Sequence, residues 1–348
     1  MNNTRYLIDK LYEQRNLSKD EIIALLTYCS SSDAQYLYKK ARHRASEVYC
    51  NNIYIRGLIE ISNICKNDCY YCGIRKSNPS VQRYRLTKEQ ILNCCKEGHS
   101  LGFRTFVLQG GEDGYFTDDI VCDIVTAIKS IYPNCAVTLS LGERSKESYQ
   151  RLYNAGADRY LLRHETATPW HYNKLHPKEL IFENRIRCLY NLKEIGFQTG
   201  CGFMVGSPFQ TIETIADDLV FIKSFNPQMV GIGPFIPQKD TPFGNEQAGT
   251  LDMTLMILAI VRLMLPNVLL PATTALGSID PNGRELGIFA GANVVMPNLS
   301  PFDVRKNYAL YDNKAFVDAE AAESLEILKK RVEGIGYKVI SAKGDYRK

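Results

Sequence analysis

Three cysteines, Cys65, Cys69 and Cys72, stand close together in the run NICKNDCYYCG. Spaced C-x3-C-x2-C on an irregular loop, their thiolates can converge on one soft metal centre, because sulfur favours zinc or iron-sulfur chemistry over hard cations. A closed zinc site or an ordinary four-cysteine cluster wants a fourth Cys or His nearby. None follows until Cys94 and Cys95, which sit in an amphipathic helical pattern where buried thiols are the ordinary expectation. A three-ligand cluster accounts for the spacing better, since it leaves one iron open to an outside ligand. Zinc and purely redox centres stay open as alternatives on spacing alone. A second candidate is Gln109-Gly110-Gly111-Glu112, where two glycines let backbone approach a ligand closely. Its plain alternative is a strand-to-helix turn.

These residues need a frame. Residues 3–50 read as helices, and from Ile53 onward apolar, β-branched runs alternate with helical patterns. Strands are expected at 53–62, 105–111, 136–142, 159–165, 199–206, 229–236, 269–276 and 293–298, with helices at 88–102, 118–132, 145–156, 182–196, 211–225, 253–265 and 323–338. About eight such units predict a (βα)8 TIM-type barrel of the α/β class. The expected division is an N-terminal helical cap (1–50), the barrel (51–310) and a C-terminal helical extension packing on it (311–348). Barrel chemistry belongs at the C-terminal strand ends. Cys65, Glu112, Glu143, His164, Glu165, Met204, Thr273, Thr274 and Met296 all fall at or just past such an end.

Composition narrows the partners. The chain has 348 residues, 42 basic against 38 acidic, for a net charge of +4. That balance supplies no field for nucleic acid or anionic lipid, so no nucleic acid and no membrane are expected and a small-molecule substrate is. The run 251–266 is broken by Asp252 and Arg262 and is shorter than a membrane span needs. The N-terminal stretch lacks an apolar signal-peptide core. Eleven cysteines then point to reduced thiols and metal ligation in a cytoplasmic, anaerobic setting.

The cysteine loop following the first strand resembles the hallmark of the radical S-adenosylmethionine (SAM) superfamily. That resemblance implies a [4Fe-4S] cluster on Cys65, Cys69 and Cys72, with SAM on the fourth iron and reductive cleavage to methionine and a 5′-deoxyadenosyl radical. Tyr71 resembles the aromatic residue beside the adenine, and the turn Gln109, Gly110, Gly111, Glu112 the site for the methionine ammonium. From Arg56 to about Tyr311 the chain is similar to the HydE family of [FeFe]-hydrogenase maturases, related to biotin synthase and to the methylornithine synthase PylB. RGLIEISNICKNDCYYCG, LQGGED, AGADRYLLRHETATP, MVGIGPFIPQKDTP and GANVVMPN are among the segments that carry this. HETA, SLGE and PATTALG favour HydE over PylB.

By matching position, the resemblance implies Glu165 for the SAM ribose hydroxyls, Arg185 for its carboxylate, Met204 and Met296 against adenine and sulfonium, and Tyr308 as a further contact. A structural Glu165–Arg185 ion pair and core methionines are the plain alternatives. Thr138, Ser140, Glu143, Arg163, Thr273 and Thr274 would line a deeper pocket for a cysteine-derived ligand, with Arg163 on its carboxylate or else paired with Glu143. His164 reads as a hydrogen-bonded neighbour more readily than as a ligand. Some HydE proteins hold a second cluster on C-terminal cysteines, whereas this chain has none after Cys201, so one cluster is expected. The implied reaction is radical attack on a small sulfur-containing or iron-bound cysteine species during assembly of the hydrogenase diiron subcluster. The implied partners are a flavodoxin or ferredoxin as external one-electron reductant and the maturases HydG and HydF. A PylB-like enzyme and a non-enzymatic iron-sulfur or zinc module are the other readings.

Overall fold

The computed structural model describes residues 4–314 and 321–347. Three helices open it, α1 (Thr4–Gln14), α2 (Lys19–Tyr28) and α3 (Ser31–Tyr49). Ser18 and Ser30 start the latter two by accepting the N–H of Glu21 and Asp33, orphan donors that a hydroxyl cap satisfies. Strand and helix then alternate: β1 (Asn52–Ile55), β2 (Gly57–Ser62), α4 (Lys88–Ser100), β3 (Thr105–Gly110), α5 (Asp118–Ile131), β4 (Ala136–Ser140), α6 (Lys146–Asn154), β5 (Arg159–Leu161), α7 (Pro169–Leu175), α8 (Phe182–Ile195), β6 (Gln198–Cys201) and β7 (Met204–Val205). The order continues with α9 (Ile212–Phe225), β8 (Met229–Val230), β9 (Gly233–Pro234), α10 (Leu251–Met264), α11 (Thr274–Ile279), α12 (Gly283–Phe289), β10 (Val294–Val295), α13 (Phe302–Arg305), α14 (Ala321–Gly334) and β11 (Lys338–Ile340).

The central sheet runs β2-β3-β4-β5-β6-β8, every pairing parallel. Single parallel bridges at Met229–Leu269, Pro271–Val294 and Leu58–Asn298 carry the pairing onward from β8 and back to β2. Alternation along the strands divides the sheet's faces. Ile59, Leu108 and Leu139 join the main apolar core, while the register sets Glu60, Gln109 and Ser140 side by side on the opposite face. Helices α1–α3 pack outside, against α9, α10 and α12.

Several expected strands are shorter than the sequence suggests. The first breaks at Arg56, and those at 199–206 and 229–236 split at Gly202 and Gly231. Gly202 has φ +152 and approaches so closely that a Cβ would lie 2.0 Å from the Gly231 carbonyl oxygen. The expected strand at 269–276 survives only as the bridges at Leu269 and Pro271, because Thr273 caps α11 and Thr274 begins it. The C-terminal extension is not purely helical: after α14, β11 adds to the edge of β1 in parallel.

The tail beyond β11 is anchored by a charge that has nowhere else to go. Arg159 is wholly buried and donates to Thr105 Oγ1 (3.0 Å), the Lys343 carbonyl (2.9 Å) and Asp345 Oδ1 (2.6 Å). Removing the anion leaves that guanidinium without its counter-charge, so Asp345→Asn should destabilise the fold by about 1–3 kcal/mol. A thermal midpoint equal to that of the parent protein would refute this.

Candidate functional site

The cysteine loop leaves β2 and is cinched from within. Arg83 Nη1 donates to the carbonyls of Asn63 (2.6 Å) and Ile74 (2.8 Å), and Nη2 to those of Arg75 (2.6 Å) and Asn78 (3.2 Å). One guanidinium thus ties both ends of the loop together, a use for which its planar fork suits it. Burial pushes all three thiols up, Cys72 to about 12, Cys69 well above the usual thiol range and Cys65 in the same direction. They are protonated in the free chain at neutral pH, so a metal centre must displace those protons on binding. Among the described residues, no three His, Cys, Asp or Glu side chains come close enough to share a single ion. The thiols are nonetheless near enough that Cys69 feels the charge of both Cys72 and Cys65. A set of three soft donors on one loop fits an iron-sulfur cluster.

The turn after β3 packs on the start of this loop. A Cβ on Gly111 would lie 2.3 Å from the Ile64 carbonyl oxygen and 2.8 Å from Cys65 Cβ, so only glycine permits the contact. Glu112 follows, accepting the Glu143 N–H at 3.0 Å and pairing with Lys66 at 3.2 Å. Gly142, at φ +75, makes room for it, since a Cβ there would meet Glu112 Cγ at 2.1 Å. The Gln109 side chain donates to Tyr308 Oη (3.3 Å), which is buried.

Two ion pairs lie beside the loop, and neither is one weighed from sequence. Arg163 Nε meets Glu165 Oε1 at 3.0 Å, and Arg185 Nε meets Glu143 Oε1 at 2.7 Å. The second is a charge contact without hydrogen-bond alignment, for both of its atoms are buried and lack a hydrogen-bonding partner. Burial opposes the Arg185 charge, but Tyr172, Glu143 and Glu112 outweigh it and raise its affinity for the proton. Glu143 also accepts from Asn184, which makes it Arg185's partner more than a pocket lining. Glu165 has φ +66, a left-handed conformation that costs a branched or acidic residue roughly 1–3 kcal/mol and clusters at functional sites.

Tyr71 donates to His176 Nε2 (3.3 Å), whose Nδ1 is 2.9 Å from the Tyr172 carbonyl. A carbonyl only accepts, so the proton is on Nδ1 and Nε2 is free to receive the tyrosine hydroxyl. The Tyr172 and His176 rings stack at 4.0 Å. Met204 packs with Phe235, Phe243, Leu175 and Tyr71. Met296 does not join it; it packs with Met229, Tyr54 and Leu269 in a separate cluster.

Ser140 shares the row of Glu60 and Gln109, and Thr138 lies one layer nearer the N-terminal strand ends, level with Arg159. Thr138 Oγ1, Thr273 Oγ1 and Glu165 Oε2 are buried without a hydrogen-bonding partner. Such atoms nearly always have one, so they mark where a polar ligand belongs. Thr274 accepts from Arg284 Nη2 at 3.4 Å. His164 is structural: Nδ1 accepts the Gly202 N–H (3.2 Å) and Nε2 faces buried Asp218 (3.3 Å).

Sequence reasoning missed His176, Arg83, Arg56 and the buried pair Glu60–Lys314. Arg56 turns Nη1 to Met229 Sδ (3.0 Å), and its other two nitrogens are buried without partners. Its position inside the apolar run IYIRGLIEIS was the available signal. Nothing local marks His176 or Arg83, whose partners are distant in sequence or are backbone carbonyls.

The Radical SAM superfamily model matches residues 59–222. The [FeFe] hydrogenase maturase subunit HydE of Thermotoga maritima is 43% identical over 96% of this chain and 95% of its own length. The 3-methylornithine synthase of Methanosarcina acetivorans is 30% identical over 94% of this chain and 92% of its own. Among solved structures, methylornithine synthase (PylB) superposes with a TM-score of 0.81 at 25% identity, covering 96% of this chain and 97% of that one. HydG, an [FeFe]-hydrogenase maturase, superposes at 0.80 and 20% identity, covering 97% and 75%, and shares the fold.

Burial holds His176 down to about 4, below its ordinary 6.5. The unfolded chain therefore binds that proton more readily. The stabilisation is whole above about pH 6.5 and disappears as pH falls towards 4, amounting to roughly 2 kcal/mol lost at pH 5. His176→Phe keeps the ring stack and should flatten the change in thermal midpoint between pH 7 and pH 5. Equal slopes in the two proteins would refute this.

Proposed function

The chain belongs to the radical SAM superfamily and, within it, to the HydE family of [FeFe]-hydrogenase maturases, and from that premise we propose how its residues divide the work. It is a radical SAM enzyme of [FeFe]-hydrogenase maturation that uses a [4Fe-4S] cluster and SAM and acts on a small molecule. Bound together, cluster and SAM supply one-electron cleavage of the sulfonium and a 5′-deoxyadenosyl radical. Cys65, Cys69 and Cys72 hold the cluster, and with no cysteine after Cys201 we assign one cluster.

The observation that carries the reading is the packing of the Gly110–Glu112 turn onto the cysteine loop. It gathers one set of charges, since Cys69 senses Arg185 and Glu165, and Tyr71 senses Glu165, Arg163 and Arg185. Arg185 offers the SAM carboxylate a guanidinium whose tie to Glu143 is a charge contact only. Glu112, Gln109 and the Gly110–Gly111 backbone take the methionine ammonium, and Glu165 Oε2 takes a ribose hydroxyl. Tyr71 and Met204 flank the adenine, with Tyr308 behind Gln109. In the deeper space Thr138, Ser140 and Thr273 supply hydroxyls and Arg163 a positive charge for a cysteine-derived carboxylate, with Thr274 at its margin, while Met296, packed with Met229 and Leu269, takes no part.

We read the sheet and its closing bridges as a (βα)8 barrel over residues 51–310, with residues 1–50 as the helical cap and 311–348 as the extension. A cytoplasmic setting, reduction by flavodoxin or ferredoxin, and exchange of substrate and product with HydG and HydF complete the proposal. Among the described residues no helix is long and apolar enough to cross a membrane.

Cys69→Ala should abolish 5′-deoxyadenosine formation while circular dichroism and the thermal midpoint stay near those of the parent. Retained SAM cleavage would remove the cysteine loop from the reading. The relation to methylornithine synthases, at 30% identity and a TM-score of 0.81, sustains one second reading. Incubation with lysine, SAM and dithionite should produce no methylornithine; its appearance would replace the maturase assignment.

A further inference from the structure

Phe209 follows Pro208 in the loop after β7, half-exposed (51%) and with φ +66. Holding an aromatic residue in a left-handed conformation costs free energy, and half of this ring is nonetheless left in solvent. Lys174 of α7 lies over that ring, 5.5 Å from its centroid. Trp170, one helical turn before Lys174 and therefore on the same side of α7, is also half-exposed (50%). Two large aromatic rings thus bracket a lysine on one surface.

The patch is continuous with the cysteine loop. Phe209 meets Phe243 edge-on at 6.1 Å, and Phe243 meets Tyr70 edge-on at 6.0 Å. Backbone bonds hold the contact, with the Phe243 N–H on the Tyr70 carbonyl (3.3 Å) and the Tyr70 N–H on the Leu175 carbonyl (3.0 Å). Tyr70 is the residue after Cys69. Exposed Lys76 of the same loop and exposed Lys174 put positive charge beside it. Arg75, paired with Asp68, lies over the Tyr70 ring at 5.8 Å, and Lys66 is paired with Glu112. The loop's own carboxylate, Asp68, is already occupied by Arg75 and Ser77.

From this geometry we infer that Trp170, Lys174 and Phe209 form the docking surface for an acidic one-electron carrier protein. The inference rests on the radical SAM reading, since only a buried redox centre on the cysteine loop requires such a partner. One electron leaves the carrier and enters that centre, with no bond or proton exchanged at this step. The aromatic rings supply desolvated contact area and the cations select a carboxylate-rich surface. A second copy of the chain is the poorer occupant, because its own exposed Lys76 and Lys174 offer these lysines no opposite charge.

The test separates docking from chemistry. Binding of fluorescently labelled flavodoxin and of a labelled ferredoxin to the reconstituted protein is measured by anisotropy. At least one should bind, and its affinity should fall at least about tenfold as salt rises from about 25 to about 250 mM. Lys174→Glu should weaken that binding about tenfold or more, and Phe209→Ser several-fold, as expected for a charge reversal and for an aromatic anchor. Both variants should cleave SAM at the parental rate with dithionite and more slowly with the carrier. Failure of both carriers to bind, unchanged affinity in the variants, or equal loss with dithionite would each overturn the docking surface. Absence of dithionite-driven cleavage in the parent protein would instead overturn the radical SAM reading, and the anisotropy result would still stand or fall by itself.

Discussion

The site depends on one steric allowance: the turn after β3 lies against the cysteine loop with no side chain between them. A Cβ on Gly111 would sit 2.3 Å from the Ile64 carbonyl oxygen, and one on Gly73, just past Cys72, would sit 2.0 Å from that of Ala309. Backbone does not yield at such distances, so these two glycines set how near the loop comes to the sheet on one side and to the 308–310 segment on the other. Arg83 closes the remaining freedom by joining carbonyls from both ends of the loop. Three thiols on an otherwise irregular segment gain a defined arrangement before any metal arrives.

Charge placement follows from that packing. Arg163 and Arg185 each lie beside a carboxylate of their own, Glu165 and Glu143, so the positive groups near the cysteines carry partners that they can keep or exchange. An isolated guanidinium would be costly in this setting. His176 contributes in the opposite way. Burial keeps it neutral, so it steers the Tyr71 hydroxyl as an acceptor and adds no further positive charge to a crowded region.

Sheet alternation explains why one fold serves both purposes. The face of β2, β3 and β4 turned to the helices carries Ile59, Leu108 and Leu139 into a continuous apolar core. The other face carries Glu60, Gln109 and Ser140 in register, and Thr138 on the same face of β4 keeps a buried hydroxyl without a hydrogen-bonding partner. Stability and ligand binding are thereby assigned to alternate residues of the same strands.

Much of this was legible in the residues themselves. The alternation of apolar runs and helical patterns placed the longer helices and strands but not the short helices α7, α11, α12 and α13, because periodicity needs several turns to show. The cysteine spacing and the GGE turn were legible because their chemistry lies within a few consecutive residues. Pairings between distant residues were not: that Arg163 would take Glu165 and Arg185 would take Glu143, that Met296 would lie apart from Met204, or that Thr274 would turn into a helix. His176 and Arg83 gave no local sign at all, since each acts on groups that only the folded backbone brings within reach. Residue type and spacing therefore determined which chemistry was available, while tertiary structure decided which groups share it, because contacts over long sequence separations are set by packing.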